Sequence, residues 1–184
     1  MNWLKRNFFV VLIVAAIVSL SLVLVPIYNA IDALDTAGSE QYQRLLWMNI
    51  ANYTCIAAAE VMFIIIASKR SLDKTLIMVA ILLFFVSDIA ITVYRMIEYK
   101  EYVGCYYILI DVALMIFMIM SLTNKRYFLT TLVILLVEAA TSLLGTFNGS
   151  SIEFSKLILD FMLLFSIYFY SNNEQVNSDY NYYS

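Results

Sequence analysis

The chain has no histidine, one proline, four glycines and two cysteines in 184 residues, and only 14% of it is charged. Without histidine there is no imidazole ligand and no imidazole base. Zinc and haem sites, and any Ser–His or Cys–His catalytic pair, are set aside. The scarcity of glycine and proline argues against transporters built on broken helices, whose matched halves those residues interrupt. No TVGYG-like filter, Walker sequence or kinase signature occurs, so an ATP-driven step would need a second protein. Cys55 and Cys105 fit neither a CxxC pair nor a zinc spacing and read as free thiols. A net charge of −3 leaves no basic footprint for nucleic acid.

What fills the chain instead is apolar. It is 63% hydrophobic with a mean hydropathy of +0.84, whereas a soluble domain is about 45–50% apolar and roughly 25% charged. The surplus has to face lipid. Six apolar runs, at roughly 7–28, 46–67, 75–97, 103–122, 127–147 and 151–171, are each long enough to cross about 30 Å as a helix. None shows the period-two alternation of a barrel strand. The expected fold is all-α: a polytopic six-transmembrane-helix bundle over 1–171, followed by a polar tail over 172–184. The first run follows Lys5 and Arg6 as a signal peptide would. Its apolar stretch of about 20 residues exceeds a signal core of about 7–15, and it reads as a retained helix.

Lys and Arg orient the bundle. Lys5, Arg6, Lys69, Arg70, Lys74, Lys125 and Arg126 fall on one side, seven of the eleven basic residues, and that side is expected to be cytoplasmic. Both termini are then inside, in a cell (inner or plasma) membrane. Short connections imply three helical hairpins, 1–2, 3–4 and 5–6. The first external connection, YNAIDALDTAGSEQYQR, is the only sizeable one. The tail, with Tyr180, Tyr182 and Tyr183, reads as a flexible end. Asn148-Gly149-Ser150 formally matches a glycosylation acceptor.

Acids interrupt five of the six runs: Glu60, Asp88, Asp111, Glu138 and Asp160. A carboxylate at a helix centre costs about 2.5–3.5 kcal/mol, so five facing lipid would cost roughly 12–18 kcal/mol. They are expected to face the bundle interior. Only Arg95 and Lys156 lie within the runs as counter-charges, so the excess must be protonated, hydrated or balanced by a bound cation. Asp88, Thr92 and Arg95 share a helical stripe; so do Glu153, Lys156 and Asp160, then Asn49, Asn52, Tyr53 and Glu60, then Thr131, Glu138, Thr141, Ser142 and Gly145. The first run has no charge, only Ser19, Ser21 and Pro26, and reads as a scaffold or lipid-facing helix.

These residues suggest a non-enzymatic transport or channel protein handling a cation, a proton or a small cationic solute. Asp88, Asp111, Glu138 and Asp160 would form a central site at one level, with Glu60 on the inner route nearer the cytoplasm. Arg95 and Lys156, helped by Thr92, Asn49 and Tyr53, would hold the acids in register. No cofactor is expected, and no metal is assigned. The alternative is a membrane subunit of a larger complex, such as a permease partner, an immunity protein or a defence component, with the acids buried at helix contacts; a second copy is another possible partner. A third reading is an intramembrane lipid hydrolase using an Asp pair. The segment ILLFFVSDIAI (81–91) resembles the apolar-Ser-Asp segment of the lysoplasmalogenase-like membrane family over about 11 residues. That resemblance implies ether-lipid chemistry with Asp88 as a catalytic acid, in a fold with more spans than six. No second segment supplies the partner acid.

Overall fold

The computed structural model describes residues 2–102, 104–146 and 151–182, with side chains described over 7–102, 104–140 and 152–172. Thr141, Ser142, Gly145, the Asn148-Gly149-Ser150 triplet and the tail tyrosines therefore have no described side chains. Six helices follow in chain order: α1 (Asn2–Leu34), α2 (Glu40–Lys69), α3 (Lys74–Tyr99), α4 (Gly104–Thr123), α5 (Phe128–Thr146) and α6 (Ser151–Tyr182). A single 3₁₀ turn (Lys125–Tyr127) joins α4 to α5, and no strand occurs among the described residues. Among the described residues, four helices, α1 to α4, are long and apolar enough to cross a membrane.

Capping chemistry decides where the helices end. Ser39 caps α2 by accepting from the Tyr42 N–H at 3.3 Å, and Asp73 caps α3 by accepting from the Thr75 N–H at 2.8 Å. Both helices stop at a residue in the left-handed region, Arg70 with φ 49° and Lys100 with φ 57°. These ends lie outside the apolar runs. The 33 residues of α1 span about 50 Å, more than the roughly 30 Å of hydrocarbon. The connection between α1 and α2 is thus a short link between two long helices, because the polar residues around Asp32 and Gln43 continue the helical backbone. The segment after 171 likewise continues α6 to Tyr182.

The expected hairpins α1–α2, α3–α4 and α5–α6 are all packed pairs, and contacts also run between them. Each helix packs on the next in chain order, and α2 meets α3 as fully as α3 meets α4. The helix α6 touches all five others, so α1 to α5 form an arc around it. The core between them is aliphatic and aromatic, with Phe63, Phe84, Phe85, Ile56, Leu114, Met118 and Leu159 almost fully buried. Phe8 on α1 packs on Phe169 of α6 with ring centroids 4.4 Å apart. Gly104 lets α4 start close against α3: a Cβ added there would lie 2.7 Å from Met96 Cγ and 3.0 Å from Thr92 Cγ2. Outward faces stay apolar, with Val10, Val14, Ile17, Leu24, Leu109, Leu129 and Leu136 exposed. A water-soluble monomer rarely carries so much continuous apolar surface. Four apolar helices with such outward faces suggest a multi-pass membrane protein.

Candidate functional site

Because α6 is the hub, whatever it carries inward meets every other helix. It carries Ser155, Lys156 and Asp160. Lys156 Nζ lies 2.5 Å from Asp88 Oδ1 of α3 and 4.0 Å from Glu153 Oε1 of its own first turn. Both side chains of the Lys156–Asp88 pair are largely buried, 16% and 13% exposed. Asn52 of α2 adds a third contact, its Nδ2 donating to Asp88 Oδ1 at 3.2 Å. Pair and amide thus tie α2, α3 and α6 together, and a charge-assisted bond of this length is among the stronger kinds.

Three more acids surround that pair. Asp111 of α4 and Asp160 of α6 are 5% and 2% exposed. Glu138 of α5, Asp111, Asp160 and Asp88 all lie within reach of one another's charge and of Lys156. Four carboxyl groups from four helices thus converge around one ammonium. Asp160 Oδ1 is buried with no hydrogen-bond partner among the described residues. Burying an unpaired carboxylate is expensive, so the cluster is short of positive charge.

Glu60 stands apart. It is fully buried on α2 and its Oε1 accepts a short hydrogen bond from Ser19 of α1 and another, at 2.9 Å, from Ser155 of α6. The two serine hydroxyls lie 2.8 Å apart, and Ser19 Oγ is also 3.1 Å from the Ser155 carbonyl oxygen. Glu60 Oε2 has no partner among the described residues. Ser155 and Lys156 are consecutive on α6, so Glu60 meets α6 beside the Lys156 position, not as an isolated rung below it. Asp160 lies a turn further along α6.

The remaining expected residues divide. Arg95 is exposed and donates to Asn49 Oδ1 at 3.1 Å; among the described residues no carboxylate joins it. It sits two turns from Asp88 on α3, and its long side chain turns to α2 instead. Thr92 packs at the start of α4 beside Gly104, and Tyr53 is half-buried against the aliphatic core. Among the described residues, Lys156 is thus the one cation beside the acids. Arg95→Ala should cost less than about 1 kcal/mol, the worth of one exposed neutral-acceptor bond, in thermal unfolding of the detergent-solubilised protein. Sequence reasoning did not find Ser19 or Ser155 as partners of Glu60. A single serine on an apolar helix leaves no periodic signal, and only the contact itself reveals it. Thr131, on the polar side of α5, bonds instead to Ser121 of α4 at 2.8 Å, closing the α4–α5 contact. Both cysteines are free, as expected.

No protein family, curated protein or solved structure matches the chain. The site is therefore interpreted from its geometry alone.

Proposed function

We propose that this protein is a non-enzymatic membrane carrier or channel that admits a positively charged species, a proton or a small organic cation, to the acidic centre around α6. One observation carries the reading: among the described residues, Asp88, Asp111, Glu138 and Asp160 on four helices, with Glu153 beside them, have Lys156 as their one ammonium. Buried charges persist in membrane bundles where they serve ion or proton pathways or are fully paired, and here the pairing is incomplete. Lys156 acts as a tethered counter-ion. When a positive charge enters beside Asp160 and Asp111, it shares the acids with Lys156 and weakens the hold of Lys156 on Asp88. When it leaves, the pair at Asp88 closes again, and α3 and α6 are drawn back together. Among the described residues no group of three acids is spaced to hold a metal ion, so the reading favours a proton or an organic cation.

Asp88→Asn tests it. The amide keeps the bond to Asn52 but removes the charge that holds Lys156. In proteoliposomes the variant should lose at least nine-tenths of the wild-type proton or ammonium flux while remaining extractable and monodisperse. Flux equal to wild type would overturn the assignment. The second reading, a non-catalytic subunit of a larger complex with acids as helix ties, draws support from Glu60, which bridges α1, α2 and α6. It predicts that the same substitution weakens co-purification with a partner and leaves no solute flux to lose.

A further inference from the structure

Three buried oxygens meet where α1, α2 and α6 touch: Glu60 Oε1, Ser19 Oγ and Ser155 Oγ. Every side of that triangle is a hydrogen-bond contact. Ser19 and Ser155 both reach Glu60 Oε1, the second at 2.9 Å, and the two hydroxyl oxygens lie 2.8 Å apart. A fourth contact, of 3.1 Å, joins Ser19 Oγ to the Ser155 carbonyl oxygen. Oxygens at these separations are held by a hydrogen between them, and each serine hydroxyl supplies one. Two hydrogens thus face four contacts. If Glu60 were ionised, both would point at its Oε1. The 2.8 Å and 3.1 Å contacts would then set lone pair against lone pair, with all three side chains closed to solvent. The other carboxyl oxygen agrees with this count. Glu60 Oε2 is buried with no partner among the described residues, and an unpaired carboxylate oxygen costs far more there than an unpaired neutral C=O. Among the described residues no ionised group of α1, α3 or α6 acts on Glu60. Lys156, next to Ser155 in the chain, turns to Asp88 of α3 and Glu153 instead, and Asp160 belongs to that same cluster.

We propose that Glu60, Ser19 and Ser155 form a proton-binding site, with the bound proton on Glu60 Oε1. Three hydrogens then run around the ring. The Glu60 O–H donates to Ser19 Oγ, and the Ser19 O–H is shared between Ser155 Oγ and the Ser155 carbonyl oxygen. The Ser155 O–H donates to Glu60 Oε1. Every contact has its hydrogen, and Oε2 is the neutral C=O. The site is separate from the acidic centre around Lys156, and it stands whether or not that centre carries a cation. The proton fastens α1 and α2 to α6. When hydroxide takes it up as water, the Glu60 O–H bond breaks, one side of the ring loses its hydrogen and the fastening loosens.

Proton linkage distinguishes the two states of Glu60. In the unfolded chain a glutamate titrates near its ordinary value, about 4.3. Above that range the folded protein would hold one proton more than the unfolded one, so raising the pH favours unfolding. One proton is worth about a factor of ten in the unfolding constant per pH unit. Equilibrium unfolding of the full chain in mixed dodecylmaltoside and SDS micelles is followed upward from that range for wild type, Glu60→Gln and Glu60→Met. The other acids are common to all three proteins and cancel in the comparison. The wild-type constant should rise about tenfold per pH unit more steeply than that of either variant, until Glu60 releases its proton. Parallel curves would mean that Glu60 is ionised in the folded protein and would overturn the proposal. Infrared difference spectra of the folded proteins need no unfolding. Wild type minus either variant should show the C=O stretch of a protonated carboxylic acid, at the high-frequency end where a carbonyl without a hydrogen-bond partner absorbs. Carboxylate bands in its place would equally overturn the proposal.

Discussion

Lys156→Met should destabilise the folded protein by about 3–5 kcal/mol, the cost of removing one partner of a buried ion pair and stranding the other. Methionine keeps the length and apolar stem of lysine, so little packing is lost. What is lost is, among the described residues, the one ammonium beside Asp88, Asp111, Glu138 and Asp160. The effect is larger than that of breaking an isolated pair, because the remaining acids then repel one another without relief. Combining Lys156→Met with Asp88→Asn should recover a large part of the loss, since the acid that Lys156 touches at 2.5 Å no longer carries charge. Thermal unfolding of the two single variants and the double variant in one detergent measures this coupling. If the two losses simply added, the pair would have no energetic reality.

Glu60→Ala should cost about 2–4 kcal/mol, from the cavity left between α1, α2 and α6 together with the serine hydroxyls deprived of an acceptor. Glu60→Gln should cost less than about 1 kcal/mol. Glutamine keeps one carbonyl oxygen for Ser19 and Ser155, and places its NH₂ where Glu60 Oε2 now has no partner among the described residues. The contrast separates two roles for the acid. If glutamine is tolerated, Glu60 is a three-helix tie whose shape matters more than its charge. If glutamine is as damaging as alanine, the negative charge itself is needed, and Glu60 belongs with the acids around Lys156.

The six helices were legible because apolar runs of membrane length have few other uses. Their ends were less so. Ser39 and Asp73 cap helices that extend beyond the hydrophobic stretch, and hydropathy does not report a cap. The inward turn of Asp88, Asp111, Glu138 and Asp160 was also legible, since the cost of exposing each to lipid allows little else. Their partners were not. Arg95 and Lys156 look equivalent as counter-charges in the sequence, yet one reaches a surface amide and the other the acidic centre. That difference depends on which neighbour each side chain faces, and it arises from the central placement of α6. The expected hairpins are packed, but short links set only which helices are adjacent in sequence, and α2 and α3 pack together just as closely across a short basic link.

The central claim is that the acids are held for a positively charged species and do not merely fasten helices. Asp160→Asn tests it most directly, by thermal unfolding in detergent beside wild type, with and without a saturating organic ammonium. Asparagine preserves the shape while removing a buried charge from a group of like charges. The account predicts that the variant unfolds at or above the wild-type temperature and is indifferent to the cation. Wild type should gain about 2.7 kcal/mol at 100 times the dissociation constant, as mass action requires. A variant that melts well below wild type, with a wild type that no cation stabilises, would contradict the claim and leave the acids as structural ties.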